Sequence, residues 1–428
     1  MQTTELRSTR PSRRLGIGTM AAVVLAALAL AVIAEAIFTR DPYWALRWTV
    51  DLKVYLASGE AVRNGTSLYD VAIQNPMYGP MPYLYPPLTA ILFFVPLSLL
   101  PIGAASLVWN TASLIALGAV AWLSLGIAGV RTPRTRAVLT LLVLFLATWL
   151  LPVRIQLIAG QINMFLLLLV LLDFRGYTGR WRGVGIGVAA GLKVTPLIFI
   201  GYLVVTRQWR AAGTAVAAFL GTVLIGFVML PGDAARYWGG LVLHSSRAGG
   251  VWDTPNQSLA GALARGVSST QFAHWWLGAL AVVAVFGLAV ARYAHRQGSD
   301  FLGFSAAAIT GLLVSPVSWE HHWVYVIPLL IWLAVRAYRT RSAGLATATA
   351  VLVAVFSVRV FSLLGIQESP PAPMALAGWE QVIAAMFPLA GLLLLLVGPL
   401  WLRRASLVPA ARPAHRVLVA EPAGATAG

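Results

Sequence analysis

GAASLVWNTASLIALGAVAWLSLGIA, residues 103–128, runs for 26 residues without a charge. As a helix rising 1.5 Å per residue it would be about 39 Å long, more than the hydrocarbon core of a bilayer, which about 20 residues can span. Lipid offers the backbone no hydrogen-bond partner, so such a run must satisfy its own amides as a helix. Comparable apolar runs fall near 16–37, 88–100, 137–152, 162–173, 183–205, 211–231, 275–291, 301–316, 323–336, 343–365 and 381–402. Together they make about twelve, and the expected fold class is an all-α integral membrane protein. The short alternating segments of a membrane β-barrel do not occur. Several runs fall short of a full span, which predicts tilted or broken helices whose freed backbone lines a cavity.

Composition agrees. Of the 428 residues 59% are hydrophobic and only 11% charged, where a soluble domain carries about 25% charged residues. The net charge of +17 does not indicate a nucleic-acid partner. Arginines cluster at the ends of apolar runs, as in Arg7–Arg14, Arg207 and Arg210, Arg292 and Arg296, Arg336–Arg341, and Arg403 and Arg404. That is the positive-inside pattern of a membrane protein, with some attraction to anionic lipid. Cysteine is absent, which excludes disulfides and thiolate chemistry. The basic stretch 1–15 and the run 16–37 read as a cytoplasmic N-terminus and a retained first span rather than a cleaved signal. The tail 405–428, rich in Ala and Pro, reads as disordered.

Placing the basic turns 207–210, 292–298 and 336–342 in the cytoplasm puts 38–87, 232–274, 317–322 and 366–380 outside. The basic loops 131–136 and 174–182 then land on the wrong side if every run crosses. Either they are exceptions or two of the runs are half-spans.

Most acidic residues collect on the outer side. DLKVYLASGEAVRNG, Asp51–Gly65, reads as a helix with Asp51 near its start and Asn64-Gly65 as its stop. Its face of Leu52, Tyr55, Leu56 and Val62 suits a helix lying in the membrane interface. Asp51 is either a helix cap or a carboxylate held at the surface as a general base. After it, tyrosines and prolines, including Tyr85, lead into the next run. In GLKVTPLIF, Lys193 stands inside an apolar run between Gly191 and Pro196, which mark a break. An ammonium there either faces a cavity and an anion or snorkels to an interface. Gln161 and Asn163 precede a leucine-rich run, and Asn256 and Gln257 stand in the second outer segment. Such amides can serve a sugar's hydroxyls or plain loop structure. SWEHHW places Glu320, His321 and His322 at the outer mouth of a run, with Trp319 and Trp323 as interface anchors. Neighbouring histidines point about 100° apart on a helix, and the HxxxH zinc spacing is missing, so one of the two is expected to face the cavity and no metal is expected.

Six motifs in order carry a resemblance: D-x-x-V-Y at Asp51–Tyr55, L-Y…Y-P-P-L at Leu68–Leu88, G-Q-x-N at Gly160–Asn163, G-x-K-x-x-P at Gly191–Pro196, N-Q-S at Asn256–Ser258 and S-P-x-S-W-x-H-H at Ser315–His322. Across roughly 45–400 the chain resembles the integral-membrane glycosyltransferases of family 87, of the GT-C fold. It looks most like the actinobacterial α-(1→2)-mannosyltransferases of phosphatidylinositol mannoside assembly. The resemblance implies a catalytic unit over 16–404 in the plasma membrane, with the active site on the extracytoplasmic face. It implies a polyprenyl-phosphate mannose donor, a phosphatidylinositol mannoside acceptor, no cofactor, and Asp51 as catalytic base in an inverting transfer. Lys193 and His322 would stabilise the departing phosphate; His321, Glu320, Gln161, Asn163, Tyr55, Tyr85, Asn256 and Gln257 would line the substrates. Alternatives are mannose branching of lipomannan, transfer of another sugar such as arabinose, and a transporter of isoprenoid-linked sugars. A transporter would be expected to show pseudo-symmetric halves, and the sequence has no internal repeat.

Overall fold

The structure is a computed structural model that describes residues 48–406 other than 77, 78, 268, 367 and 369–375, together with Ala29, Ile33 and Arg40. The basic N-terminus, nearly all of the retained first span and all but the start of the expected disordered tail lie outside the described residues.

Helix α1 (Val50–Arg63) is followed by a two-stranded hairpin, β1 (Ala72–Asn75) with β2 (Gly79–Pro82). Then come α2 (Pro87–Leu97), α3 (Ile102–Ile127), α4 (Pro133–Ala147), α5 (Leu151–Ala159), α6 (Asn163–Phe174), α7 (Val184–Leu192), α8 (Leu197–Val205) and α9 (Trp209–Met229). The second half holds α10 (Pro231–Gly239), α11 (Leu259–Gly266), α12 (Ser269–Arg296), α13 (Asp300–Val314), α14 (Ile327–Thr340), α15 (Ala343–Ser357), α16 (Gly378–Ala384) and α17 (Met386–Ser406). Every apolar run from residue 88 onward overlaps one or two of these helices.

The helical, membrane-capable character holds, and the count of about twelve transmembrane helices is not confirmed. Among the described residues three helices are long and apolar enough to cross a membrane alone: α3, α9 and the Trp275–Arg296 part of α12. The number rises to five if the pairs α4–α5, bent by 73°, and α16–α17, bent by 68°, each count as one span. The expectation of broken helices holds, and the break between α7 and α8 has a chemical cause. Pro196 has no N–H to give the carbonyl of Leu192 four residues back. That carbonyl instead accepts from the Thr89 hydroxyl at 2.7 Å. The chain turns at Lys193, and α8 returns toward the end where α7 began.

Contacts at the helix ends show how the basic loops lie. Arg136 donates to the carbonyl of Trp122 at 2.6 Å and lies within charge range of Arg175. Arg339 donates to the carbonyls of Ala128 and Gly129 at 3.0 and 2.6 Å. Arg292 donates to the carbonyl of Val205, and buried Asp173 takes the Gly183 and Ile186 amides at 2.7 and 3.1 Å. Loops 131–136 and 174–182 therefore join the other arginine-rich turns at one end of the molecule. Two runs depart from a simple one-helix reading. Run 88–100 is a short helix, and α2 packs beside α1, where a Cβ on Gly59 would sit 2.2 Å from the Phe94 carbonyl oxygen. Run 183–205 folds as two short antiparallel helices, α7 and α8, rather than one continuous helix.

Helix α1 spans nearly the residues expected, and much of its apolar face is covered by protein. Val50, Leu52, Val54, Tyr55, Ser58, Gly59 and Ala61 are all buried, and Tyr55 stacks on Phe94 at 4.6 Å. Burying side chains such as Leu52 and Phe94 contributes roughly 1.5–3 kcal/mol each, enough to fix the helix that carries Asp51.

Candidate active site

Seven of the residues singled out in the sequence meet at the end opposite the arginines. Helix α5 stops at Gly160, whose φ of 76° is left-handed and natural for a glycine after a helix. A Cβ there would lie 2.7 Å from the Cβ of Leu52, so Gly160 lets α1 close on the α5–α6 turn. The Thr49 amide also donates to the carbonyl of Ile158 at 2.5 Å. These contacts set Asp51 against the G-Q-x-N turn.

A hydrogen-bonded chain runs from there. Gln161 Nε2 donates to Asp51 Oδ2 at 2.5 Å, and Gln161 Oε1 accepts from the Tyr85 hydroxyl at 2.6 Å. Tyr85 and Tyr55 hydroxyls are 2.7 Å apart. Since Tyr85 gives its proton to Gln161, Tyr55 is the donor in that pair. On the other side, Lys193 Nζ donates to Asn163 Oδ1 at 2.9 Å and lies 2.9 Å from His322 Nε2. It also sits 5.1 Å from the centre of the Tyr85 ring. Asn163 Nδ2 reaches Gln156 Oε1 at 3.2 Å and the His321 carbonyl at 3.4 Å.

Asp51 is half-buried. Removal of water pushes its carboxyl up from the ordinary 3.8 to about 6, against the lowering effects of the Gln161 amide and the Lys193 charge. A carboxylate with that value is ionised at neutral pH yet basic enough to take a proton. The Lys193 ammonium faces a polar cluster and is not snorkelling; three partners offset the cost of keeping it from water.

His322 is the histidine that meets Lys193. With the ammonium donating, its Nε2 accepts and its proton sits on Nδ1. His321 packs edge-on against it, ring centres 4.7 Å apart. The other candidates lie elsewhere. Glu320 is buried and engaged by Arg359 at 2.9 and 2.6 Å, and Arg359 also binds Glu368 at 2.7 Å. Asn256 gives Nδ2 to the carbonyls of Val251 and Pro316, and its Oδ1 accepts from Ser318 and Ser258 amides. Gln257 gives Nε2 to Thr254 and Ala384 carbonyls and takes the Phe387 amide. Both amides thus clip loops together, with their capacity taken up by backbone. Trp323 is a core residue, 0% exposed, instead of an interface anchor.

Sequence reasoning missed Gln156 and Thr89. Gln156 also donates to the Gln161 carbonyl, so it braces the turn that faces Asp51. A glutamine inside an apolar run was the available signal. Missed too was the clasp of the outer segments, in which Asp233 accepts from the Ser67 hydroxyl and Arg236 pairs with Asp70 at 2.9 Å. Among the described residues no three of His, Cys, Asp and Glu converge as a metal site would require.

A helical membrane protein that gathers one carboxylate, one ammonium and a set of amides and phenols at a single end is built for polar chemistry beside lipid. Comparison with known proteins places it. The profile of glycosyltransferase family 87 matches residues 83–316, more than half of the chain. The polyprenol-phosphate-mannose-dependent α-(1-2)-phosphatidylinositol mannoside mannosyltransferase of Mycobacterium tuberculosis is 32% identical over 338 residues, 76% of this chain and 78% of the relative. Its namesake in Mycolicibacterium smegmatis is 33% identical over 79% of this chain and 81% of the relative. A Mycobacterium tuberculosis polyprenol-phosphate-mannose-dependent α-(1-2)-phosphatidylinositol pentamannoside mannosyltransferase is 35% identical over 66% of each chain. The chain belongs to glycosyltransferase family 87.

Proposed function

We propose that this enzyme moves mannose from polyprenyl-phosphate mannose to the 2-hydroxyl of a phosphatidylinositol mannoside, forming an α-(1→2) linkage on the extracytoplasmic face of the plasma membrane. The observation that carries the reading is Asp51, half-buried, raised to about 6, and tied through Gln161 to a cluster that holds the Lys193 ammonium. The names of the relatives support the donor and the acceptor class. The gathering of arginine-rich turns at the opposite end supports the outer location, since such turns stay in the cytoplasm.

Asp51 takes the proton from the acceptor's 2-hydroxyl as that oxygen attacks the anomeric carbon. The bond from that carbon to the donor's phosphate oxygen breaks, and its electron pair leaves with polyprenyl phosphate. Attack opposite a β-linked leaving group gives the α product in one displacement. Lys193 and the imidazole beside it offset the charge gathering on the phosphate. The mechanism calls for no metal.

The test is mannosyl transfer in membranes, wild type against Asp51→Asn at matched protein levels. An inactive, folded Asp51→Asn beside an active wild type supports the base. Equal activity removes Asp51 from the chemistry, and a wild type that transfers nothing to this acceptor overturns the substrate reading.

A further inference from the structure

Tyr55 and Tyr85 are each 5% exposed, and their hydroxyls are spent on the protein itself. The Tyr55 and Tyr85 hydroxyls lie 2.7 Å apart, Tyr85 donates to Gln161 Oε1 at 2.6 Å, and Gln161 Nε2 donates to Asp51 Oδ2 at 2.5 Å. An ionised carboxylate only accepts, so the Gln161 amide turns its N–H to Asp51 and its carbonyl to Tyr85. Tyr85 must then donate to Gln161, and Tyr55 to Tyr85. All three bonds run one way, toward the base. The rings are fixed as well. Tyr55 stacks on Phe94 at 4.6 Å, Lys193 Nζ lies 5.1 Å from the centre of the Tyr85 ring, and the Tyr69 hydroxyl holds the Tyr85 carbonyl at 2.8 Å.

A hydroxyl that accepts a hydrogen bond becomes a better donor, so bonds in a chain strengthen one another. Tyr55 thus strengthens Tyr85, Tyr85 polarises the amide, and the amide binds the charged carboxylate more tightly. Without the Tyr85 hydroxyl, the buried Gln161 side-chain carbonyl loses its partner and the amide is free to turn. The line also occupies one carboxylate oxygen and spares the other. Among the described residues Asp51 Oδ1 has no hydrogen-bond partner, and Asp51 is half-buried. The ionisable groups within charge range of Asp51 are Tyr55 on α1, Tyr85 ahead of α2 and Lys193 between α7 and α8. His321 and His322 stand behind Lys193. The two phenols are neutral at the pH of the reaction, so they reach Asp51 through hydrogen bonds and not through charge.

We propose that Tyr85 and Tyr55 are positioning residues that hold the Gln161 amide with its N–H toward Asp51 Oδ2, leaving Oδ1 as the atom that takes the acceptor's proton. The proposal rests on the proposed function for the source of that proton. It moves the two phenols from the lining of the substrates to the support of the base. In the transfer the acceptor's O–H bond breaks, its proton goes to Oδ1, and the oxygen forms the bond to the anomeric carbon. The bond from that carbon to the phosphate oxygen breaks, and its electron pair leaves on polyprenyl phosphate. Gln161 keeps its bond to Oδ2 throughout, so the carboxyl holds one orientation before and after the proton arrives.

The experiment is a double-mutant cycle read as a pH profile. Purified full-length wild type, Tyr85→Phe, Tyr55→Phe, Gln161→Leu and the double variant of Tyr85→Phe with Gln161→Leu are assayed with polyprenyl-phosphate mannose and a phosphatidylinositol mannoside. For each, kcat/KM and the KM of both substrates are measured across the acid limb. Titration of the Asp51 carboxyl is followed alongside by infrared difference spectroscopy in each folded variant, its band assigned by its loss in Asp51→Asn. The line of bonds favours the ionised carboxylate, so cutting it raises the pH at which activity is half-lost. Tyr85→Phe moves that pH upward by about 0.3–1 unit and Tyr55→Phe by less, with both KM values unchanged. In the Gln161→Leu background Tyr85→Phe adds no further shift, because the two act as one unit. Shifts that add in full overturn the proposal, since Tyr85 then acts on Asp51 without Gln161. A raised KM with the limb unmoved overturns it by making Tyr85 a substrate contact. Equal loss at every pH, or no change at all, overturns it too and leaves the phenols a packing role. A protein that transfers no mannose, yet whose Asp51 titration moves upward in Tyr85→Phe, upholds the line of bonds and removes the mannose reading.

Discussion

Gln161→Leu should move the acid limb of the pH–activity profile upward. The Gln161 amide donates 2.5 Å to Asp51 and lowers its affinity for protons, but burial prevails and leaves the carboxyl at about 6. At pH 7 a group of that pKa is about nine-tenths ionised. A hydrogen bond to a charged group contributes about 1.5–3 kcal/mol. At 1.36 kcal/mol per unit, removing it raises the carboxyl by about 1–2 units, to about 7–8. A protonated carboxyl cannot take the acceptor's proton, so activity falls as pH drops through this value, and a higher value moves the fall to higher pH. The ionised fraction at pH 7 then drops to between about one-half and one-tenth. The assay is kcat/KM of purified enzyme from pH 5 to 9. Wild type should show a limb centred near pH 6, and Gln161→Leu one displaced upward with activity recovered at the alkaline end. A variant that is weak at every pH with its limb unmoved would sink this account and leave Gln161 a structural role alone.

Other expectations can be checked in parallel. Lys193→Met should cut kcat by on the order of 10²–10³ through loss of charge stabilisation at the phosphate. It should also shift the same limb upward, since the Lys193 charge lowers the Asp51 pKa. Gly160→Ala introduces a Cβ 2.7 Å from that of Leu52 at a left-handed φ of 76°. It should cost about 1–3 kcal/mol and lower kcat more than it lowers thermal stability in detergent, because it pushes α1 from Gln161. Gln257→Leu removes three backbone contacts. It should cost roughly 2–4 kcal/mol by leaving buried groups unpaired, seen as a lower Tm, while KM of the folded fraction stays unchanged.

Much of the site was legible because chemistry in an apolar chain stands out. Among 428 residues only 11% are charged, so an aspartate opening an outer helix and a lysine beside a proline draw notice on cost alone. The amides divided by a rule that the sequence does not contain. Gln161 and Asn163 join the cluster, whereas Asn256 and Gln257 are taken up by backbone from residues 251–258, 316–318 and 384–387. All four are amides in polar stretches, and only their neighbours in space differ. Glu320 is the same case: Arg359 lies 39 residues away and engages it at 2.6 Å.

Taken alone, the sequence determined that this chain is helical and membrane-bound, because runs of uncharged residues leave the backbone no other way to satisfy itself in lipid. It also marked Gly191 and Pro196 as the place where the helix could break, since a missing N–H is a local fact. The tertiary structure decided which runs stay continuous and which fold back on themselves. That depends on whether a neighbour such as Thr89 takes the freed carbonyl and whether a glycine such as Gly59 lets α1 hold α2 at its side. It decided, too, that Asp51 and Lys193, 142 residues apart along the chain, act on each other. Charge acts through space, and only the packed fold sets that distance.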